Sequence, residues 1–256
     1  MAQGSRQEDC RVSKLSSGSG AVEFDSIVFD LFHTLVDPQE HAAAGWRRLD
    51  AVALILDLPV AEIELWWQQR VDEFVSAPIS PIDSLVELAR SRRIVLSPAA
   101  LAEIDRAMGS AQDAALAEPV AGVLETLEVL GGAGIKRAVL SNAHVRDVRT
   151  FADSPLADVV DDVCISCFTG LVKPDPAAYE GALERLGSEA RRSLYVGDGG
   201  GGELAGAHDA GFGLVIAVTG PVQRGGWRSS AEQHRIEADA DLVVQDVSDL
   251  GPLIDL

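Results

Sequence analysis

Four places in this chain carry polar side chains at the ends of predicted strands or in the loops that follow them, where they can do chemistry. Asp30 directly follows the apolar run Ser26-Ile27-Val28-Phe29. A carboxylate at that end of a strand lies at the edge of an α/β sheet, where it can be solvated, bind a metal ion, or act as a nucleophile toward an acyl, phosphoryl or alkyl group. The other three places are Ser141-Asn142, Lys173 and Asp198. Because the carboxyl ends of parallel strands share one edge of the sheet, we expect these side chains to converge.

The elements that must position them alternate between strand and helix. Strands are predicted at 24–30, 136–140, 161–165, 193–196, 214–218 and 242–244. Amphipathic helices are predicted at 175–186 and 203–210. This alternation is typical of the α/β class, with a Rossmann-like, doubly wound parallel sheet. The segment 220–240 has no clear period and is predicted to be a surface loop.

A block between the first strand and the rest of the sheet has a helical pattern throughout. Its helices are predicted at 40–56, 60–76, 81–93 and 98–116, and prolines paired with capping residues separate them. We therefore predict an inserted helical domain at 38–118 and a core domain made of 23–37 and 119–256. Residues 1–22 mix Gly, Ser, Gln and charges without periodicity, which predicts a disordered leader.

Composition excludes several classes of partner. The 256 residues contain 21 Lys plus Arg against 40 Asp plus Glu, a formal net charge of −19. This balance repels polyanions, so we expect no nucleic-acid partner, and a small anionic metabolite would need cationic side chains at its site. No apolar run is long enough to span a membrane, and no signal peptide is evident, so a cytoplasmic location is expected. The sequence does not set the oligomeric state, and a homodimer is one alternative.

Taken together, these motifs resemble those of the haloacid dehalogenase superfamily, whose members are Rossmann-like hydrolases with an aspartate nucleophile. Asp30 with Thr34 matches the first motif of the family, and Ser141 matches the second. The third and fourth motifs are matched by Lys173-Pro174-Asp175 and by Gly197-Asp198 with Glu203. The resemblance covers about 24–254, and the helical block stands where the family carries its α-helical cap.

The resemblance implies a role for each position. Asp30 is the nucleophile and forms a covalent intermediate that water hydrolyses, while Lys173 balances the charge of the nucleophile and an anionic substrate. Mg²⁺ is the implied cofactor, because it prefers hard oxygen ligands. Those ligands are Asp30, the Phe32 carbonyl oxygen and Asp198, with Glu203 ordering the water shell of the metal or orienting Lys173. Substrate contacts are expected from Ser141, the backbone amides near Phe32 and His33, and from Thr34, Asn142 and Arg47.

One position departs from the phosphatases of the family. They usually carry a second aspartate two residues after the nucleophile, as general acid and base, whereas this chain has Phe32 there. The dehalogenase branch has an aromatic residue at that place, and a halide leaving group needs no proton. The Gly197-Asp198 pair instead favours Mg²⁺ and phosphate. Hypothetically, His33 or a group on the substrate supplies the missing proton transfer.

The sequence therefore predicts Mg²⁺-dependent hydrolysis of a small phosphomonoester through Asp30. Two alternatives stay open. One is hydrolytic dehalogenation of a small 2-haloacid through an alkyl-ester intermediate. The other is a binding module that kept the fold and lost turnover, which only the missing acid–base aspartate supports.

Overall fold

The computed structural model describes residues 24–226 and 228–253. Its strands are β1 Ser26–Phe29, β2 Lys136–Ser141, β3 Asp162–Ile165, β4 Ser193–Gly197, β5 Leu214–Val218 and β6 Leu242–Val244. They form one sheet in the order β3-β2-β1-β4-β5-β6, and every neighbouring pair is parallel. The chain runs from β1 to one side and then returns to the other side, so the order reverses at β1. This is the doubly wound sheet that the sequence predicts, and β1 lies at its switch point.

Helices cover both faces of the sheet and form the block between β1 and β2. In the block they are α1 Pro38–His41, α2 Arg48–Leu56, α3 Val60–Gln68, α4 Val71–Ser76, α5 Pro81–Ser91 and α6 Pro98–Ala117. After the block they are α7 Val123–Gly132, α8 Leu156–Val159, α9 Ser166–Thr169, α10 Pro176–Leu186, α11 Glu203–Asp209, α12 Gly220–Gly225 and α13 Ser230–Ala238. No helix in the described parts of the chain has both the length and the apolarity needed to cross a membrane.

Alternating side chains of the strands bury the two faces separately, as parallel sheets require. Ile27 and Phe29 pack on one face together with Leu127 of α7. Val28 packs on the other face with Tyr179 of α10. The four residues of β1 are fully buried, so the aspartate that follows this strand is fixed by the core of the protein.

The helical block has an apolar cluster of its own, which includes Val52, Ile63, Leu85 and Met108. Three of its helices, α3, α5 and α6, begin where the sequence predicts. Ser80 caps α5 and Ser97 caps α6, each through a side-chain oxygen that accepts a backbone N–H, with proline at the first helical position.

Some predicted elements are wrong. The helix predicted at 40–56 is two helices, α1 and α2, because the chain breaks at 42–47, where Gly45 has a φ of 74°. The helix predicted at 60–76 ends at Gln68 and restarts at Val71. The predicted loop at 220–240 contains α12 and α13, and α7 was not predicted. The predicted leader at 1–22 lies outside the described residues. The boundaries of the helical and core domains stay a prediction.

Candidate active site

Lys173 brings together carboxylates from two strand ends. Its Nζ donates to Oδ1 of Asp30 at 2.6 Å and to Oε2 of Glu203 at 2.5 Å. Asp30 follows β1 and Glu203 begins α11 after the neighbouring strand β4, so the parallel pairing of β1 and β4 places both beside the lysine. All three side chains are buried. Of the side chains expected to converge, Asp30 and Lys173 are therefore in direct contact, and Glu203 joins them.

Tyr195 belongs to the same network, although the sequence analysis did not identify it. Its hydroxyl accepts from Lys173 Nζ at 2.9 Å and donates to Oε2 of Glu203 at 2.7 Å. Tyr195 lies in β4 and is fully buried. A hydroxyl in a buried apolar strand needs a polar partner, so a tyrosine in the predicted strand 193–196 is the sequence feature that could have indicated this contact.

Asn142 supports the main chain of Lys173. Its Nδ2 donates to the Lys173 carbonyl oxygen at 2.7 Å, and its Oδ1 accepts from the Lys173 N–H at 2.9 Å. This reciprocal pair joins the loop after β2 to the loop that carries the lysine. The contacts describe a positioning role, whereas the predicted substrate contact of Asn142 stays a prediction. Ser141, at the end of β2, is buried beside it.

A glycine-rich loop shapes the fourth motif. The Gly200 N–H donates to Oδ1 of Asp198 at 2.9 Å, and the Gly199 N–H donates to Oε1 of Glu203 at 2.9 Å. Gly199 has a φ of 85°, and a Cβ at this position would collide with Ile236. Only glycine fits both conditions, so this residue lets the loop fold tightly over the site.

Arg228 is a second cation at the site and was also missed. Its Nη1 donates to the Asp198 carbonyl oxygen at 2.7 Å, and its Nη2 donates to Oδ2 of Asp198 at 2.8 Å. The side chains of Arg228 and Asp198 are only 5% and 7% exposed. Arg228 lies between α12 and α13, in the segment that the sequence predicts to be a surface loop, and no spacing ties it to the motifs.

Three carboxylates face two cations in this buried space. Asp30, Asp198 and Glu203 each offer one oxygen within 4.8 Å of the others. Burial, together with the charge of Glu203, raises the pKa of Asp30 to about 7 although Lys173 opposes the shift. Burial and Glu203 also raise the pKa of Asp198. Burial alone would lower the pKa of Lys173, but Asp30 and Glu203 outweigh it and raise that pKa.

This donor set fits a small divalent cation. Mg²⁺ binds carboxylate and carbonyl oxygens and needs few protein ligands. The three clustered carboxylates supply such oxygens. A further positive charge would favour the ionised form of Asp30, whose pKa is raised by burial and by the charge of Glu203.

The turn after Asp30 holds the other first-motif residues. The Thr34 hydroxyl lies 3.4 Å from Oδ2 of Asp30, so this buried side chain touches the candidate nucleophile. His33 has a φ of 61°, and its Nδ1 lies 2.9 Å from Oδ1 of Asp37, which also caps α1. Phe32 is partly buried against the apolar core and offers no acid or base.

Arg47 lies in a different setting from the rest of the predicted site. Its guanidinium donates to Oε1 of Glu64 at 2.7 Å and lies 3.8 Å from Oδ1 of Asp50, and both partners belong to the helical block. The side chain is 63% exposed. This placement gives its predicted substrate contact no support.

The helical block instead touches the core through the loop after β2. Arg146 of that loop is buried and donates to Oδ1 of Asp105 and Oδ1 of Asp113, both on α6, at 2.9 Å each. On α2, Arg48 donates to Oδ1 of Asp147 at 3.0 Å. Because this loop begins directly after Ser141, the block is anchored beside the second motif. Burial lowers the pKa of the neighbouring His144.

Comparisons with known proteins agree with this fold. A sequence model described as haloacid dehalogenase-like hydrolase matches residues 24–211. Pyrophosphatase PpaX of Halalkalibacterium halodurans is 29% identical over an alignment of 146 residues, which covers 54% of this chain and 61% of that relative. The alignment thus spans less than two thirds of the relative's length.

Solved structures show the same fold. The 2-haloacid dehalogenase from Pseudomonas syringae pv. Tomato DC3000 has a TM-score of 0.60 at 24% identity, covering 91% of this chain and 98% of that one. The L-2-haloacid dehalogenase from Xanthobacter autotrophicus has a TM-score of 0.56 at 22% identity, with coverages of 91% and 98%. At these identities the likeness establishes the fold alone. The family match, which extends from β1 to the end of α11, establishes more: the chain belongs to the haloacid dehalogenase-like hydrolases.

Proposed function

We propose that this protein is a Mg²⁺-dependent phosphohydrolase that cleaves a phosphomonoester of a small anionic metabolite through Asp30. The observation that carries the proposal is the cluster of Asp30, Asp198 and Glu203, whose oxygens approach within 4.8 Å while Lys173 binds two of them. A carboxylate nucleophile beside an ammonium group and a set of hard oxygen ligands is suited to phosphoryl transfer.

The two oxygens of Asp30 have different surroundings. Oδ1 is held by Lys173 at 2.6 Å, whereas Oδ2 lies 3.4 Å from the Thr34 hydroxyl. We therefore assign the attack to Oδ2. It forms a bond to phosphorus as the bond from phosphorus to the ester oxygen breaks, and the leaving oxygen takes a proton. Water then attacks phosphorus and gives its proton to the group that protonated the leaving oxygen. The bond from phosphorus to Asp30 breaks, and inorganic phosphate leaves with the carboxylate restored.

The other residues hold charge during these steps. Lys173 stays on Oδ1 and offsets the negative charge of the substrate, while Glu203 and Tyr195 fix the ammonium group. Asp30, Asp198 and the Phe32 carbonyl oxygen would hold Mg²⁺. When bound, this ion offsets negative charge on the phosphoryl oxygens. The helical block at 38–118 would act as the cap that selects the substrate.

His33 is the residue of the first motif that we assign to the proton transfer. Replacing His33 with Asn keeps a side chain that tolerates a positive φ, so the turn should survive. Loss of general acid–base help is expected to lower kcat by about 10²-fold or more. Steady-state kinetics with a phosphomonoester, together with the Tm of both proteins, tests this. An unchanged kcat in a folded variant would remove His33 from the mechanism.

Hydrolytic dehalogenation is the second candidate, and two observations favour it. Phe32 stands where phosphatases of the family carry an acid. The guanidinium of Arg228 already pairs with Asp198, where a metal ion would otherwise supply the positive charge. In this reaction Asp30 would attack carbon and expel halide without a proton donor. Water would then hydrolyse the ester at the carbonyl carbon of Asp30.

One assay separates the two candidates. With a panel of small phosphomonoesters, we expect phosphate release that requires Mg²⁺ and stops when EDTA is added. With 2-chloropropionate, we expect no chloride release under either condition. Chloride release that is indifferent to EDTA, without phosphate release from the panel, would reject the phosphohydrolase in favour of the dehalogenase.

A further inference from the structure

The guanidinium of Arg228 donates a hydrogen bond to the carboxylate of Asp198, which a divalent cation would need as a ligand. Nη2 of Arg228 donates to Oδ2 of Asp198, and the Gly200 N–H donates to Oδ1, so both oxygens of Asp198 already accept hydrogen bonds. We propose that Arg228 is an internal competitor for the metal at Asp198, which lowers the affinity of the site for Mg²⁺. The inference rests on the metal site of the proposed function.

The contact is strong enough to compete. Arg228 binds both the carboxylate and the main-chain oxygen of Asp198, at 2.8 Å and 2.7 Å, and neither side chain is more than 7% exposed. Charge-assisted hydrogen bonds are stronger than neutral ones, and burial weakens the screening of charges by solvent. A cation that binds Asp198 must therefore displace the guanidinium or accept its repulsion at short range. Either outcome costs binding free energy.

Arg228 differs in this respect from Lys173. The lysine bridges Asp30 and Glu203 and also donates a hydrogen bond to the hydroxyl of Tyr195, which lies in β4 near the centre of the sheet. Arg228 instead reaches the site from the short connection between α12 and α13. We therefore expect the arginine, and not the lysine, to yield to a metal ion.

A displaced guanidinium has space next to its present position. A pocket of about 360 Å³ adjoins this connection, and its lining includes Arg228 itself, Gln223 of α12, and Gln233 and His234 of α13. Withdrawal of the side chain into this pocket would free Oδ2 of Asp198 without a change in the sheet. Metal binding and the conformation of the connection would then be coupled.

The test measures Mg²⁺ binding by isothermal titration calorimetry, without substrate, on protein first treated with chelator. Replacing Arg228 with Gln should tighten Mg²⁺ binding by about tenfold or more, because the repulsive charge is gone. Replacing Arg228 with Lys keeps a charge but loses the planar fork, and its affinity should lie between the two. If the Gln variant does not fold, the Lys variant alone still tests the direction of the change.

Arg224 offers the matched control. It lies in α12 and pairs with Glu40 and Asp246, and its replacement by Gln removes the same charge from the same region. This control should bind Mg²⁺ as the wild type does. If the wild type binds Mg²⁺ and the Gln variant of Arg228 binds it equally or more weakly, the inference is overturned while the proposed function stands. If neither wild type nor variant binds Mg²⁺, the inference falls together with the metal requirement of the proposed function.

Discussion

Replacement of Asp30 by Asn is expected to abolish turnover while the protein stays folded. The amide of Asn is not a nucleophile, so no covalent intermediate can form at this position. Loss of a nucleophile lowers kcat by about 10⁴-fold or more in enzymes that depend on one. The Lys173 ammonium can still donate to the amide oxygen, so the geometry around the lysine is expected to persist.

The electrostatics of the site explain why this variant should fold. Burial and Glu203 raise the pKa of Asp30 to about 7, above its value in an unfolded chain. The folded protein therefore binds a proton at Asp30 more tightly than the unfolded chain, and ionisation costs stability as pH rises from about 4 to about 7. Asn cannot ionise and avoids this cost. Thermal unfolding in EDTA should show the variant at least as stable as the wild type at about pH 8, with a smaller advantage at about pH 5.

Asp175 provides the matched control for the activity measurement. It is exposed, caps α10, and lies two residues after Lys173, and Asn caps helices as well as Asp does. The same Asp-to-Asn change at Asp175 should leave turnover near that of the wild type. Trapping the reaction with labelled substrate, followed by peptide mapping, should place the label on Asp30. A label on another residue, or substantial turnover by the Asn variant of Asp30, would reject the nucleophile assignment.

The centre of the sheet could be predicted from the sequence because its strands are short runs rich in apolar residues that are buried almost throughout. β1 and β5 are examples, with every residue of β1 fully buried. The helices α12 and α13 were not predictable in this way. In α13 the buried positions are Gln233 and Ile236, so the apolar face is too narrow to give a helical period. The helix predicted at 40–56 breaks because Gly45 adopts a φ of 74°. The apolar pattern around Gly45 is helical and does not indicate this local backbone conformation.

The strand pattern alone predicts a site residue only where that residue stands at a strand end. Lys173 and Glu203 do not, and they were predicted from the resemblance of their motifs to the family. Asp30 and Asp198 satisfy this rule, because pairing of β1 with β4 fixes their strand ends as neighbours. Arg228 does not, because its approach to Asp198 depends on how a connection after β5 folds back. Arg47 is a different case: it pairs with Glu64 inside the helical block, and its predicted substrate contact stays a prediction.

Replacement of Lys173 by Met is expected to cost both stability and activity. The ammonium group binds two buried carboxylates, Asp30 and Glu203, and its removal leaves their charges uncompensated. Loss of one member of a buried ion-pair network costs about 3–5 kcal/mol of the free energy of unfolding. Urea denaturation at about pH 8, where Asp30 with its pKa of about 7 is mostly ionised, measures this loss. Lys136 is the control, because its Nζ donates only to main-chain oxygens in the contacts described, those of Leu186 and Gly187, and its replacement by Met should cost much less.

A second change separates the structural and catalytic contributions of Lys173. In the double variant that also replaces Glu203 with Gln, one of the two uncompensated charges is gone, so part of the lost stability should return. Activity should not return, because no ammonium group remains to offset the charge of the substrate beside Asp30. If the double variant regained both, Lys173 would act only by neutralising Glu203. If the single variant were as stable as the wild type, one of the carboxylates would already be protonated in the folded protein, and the charge balance proposed for the site would be wrong.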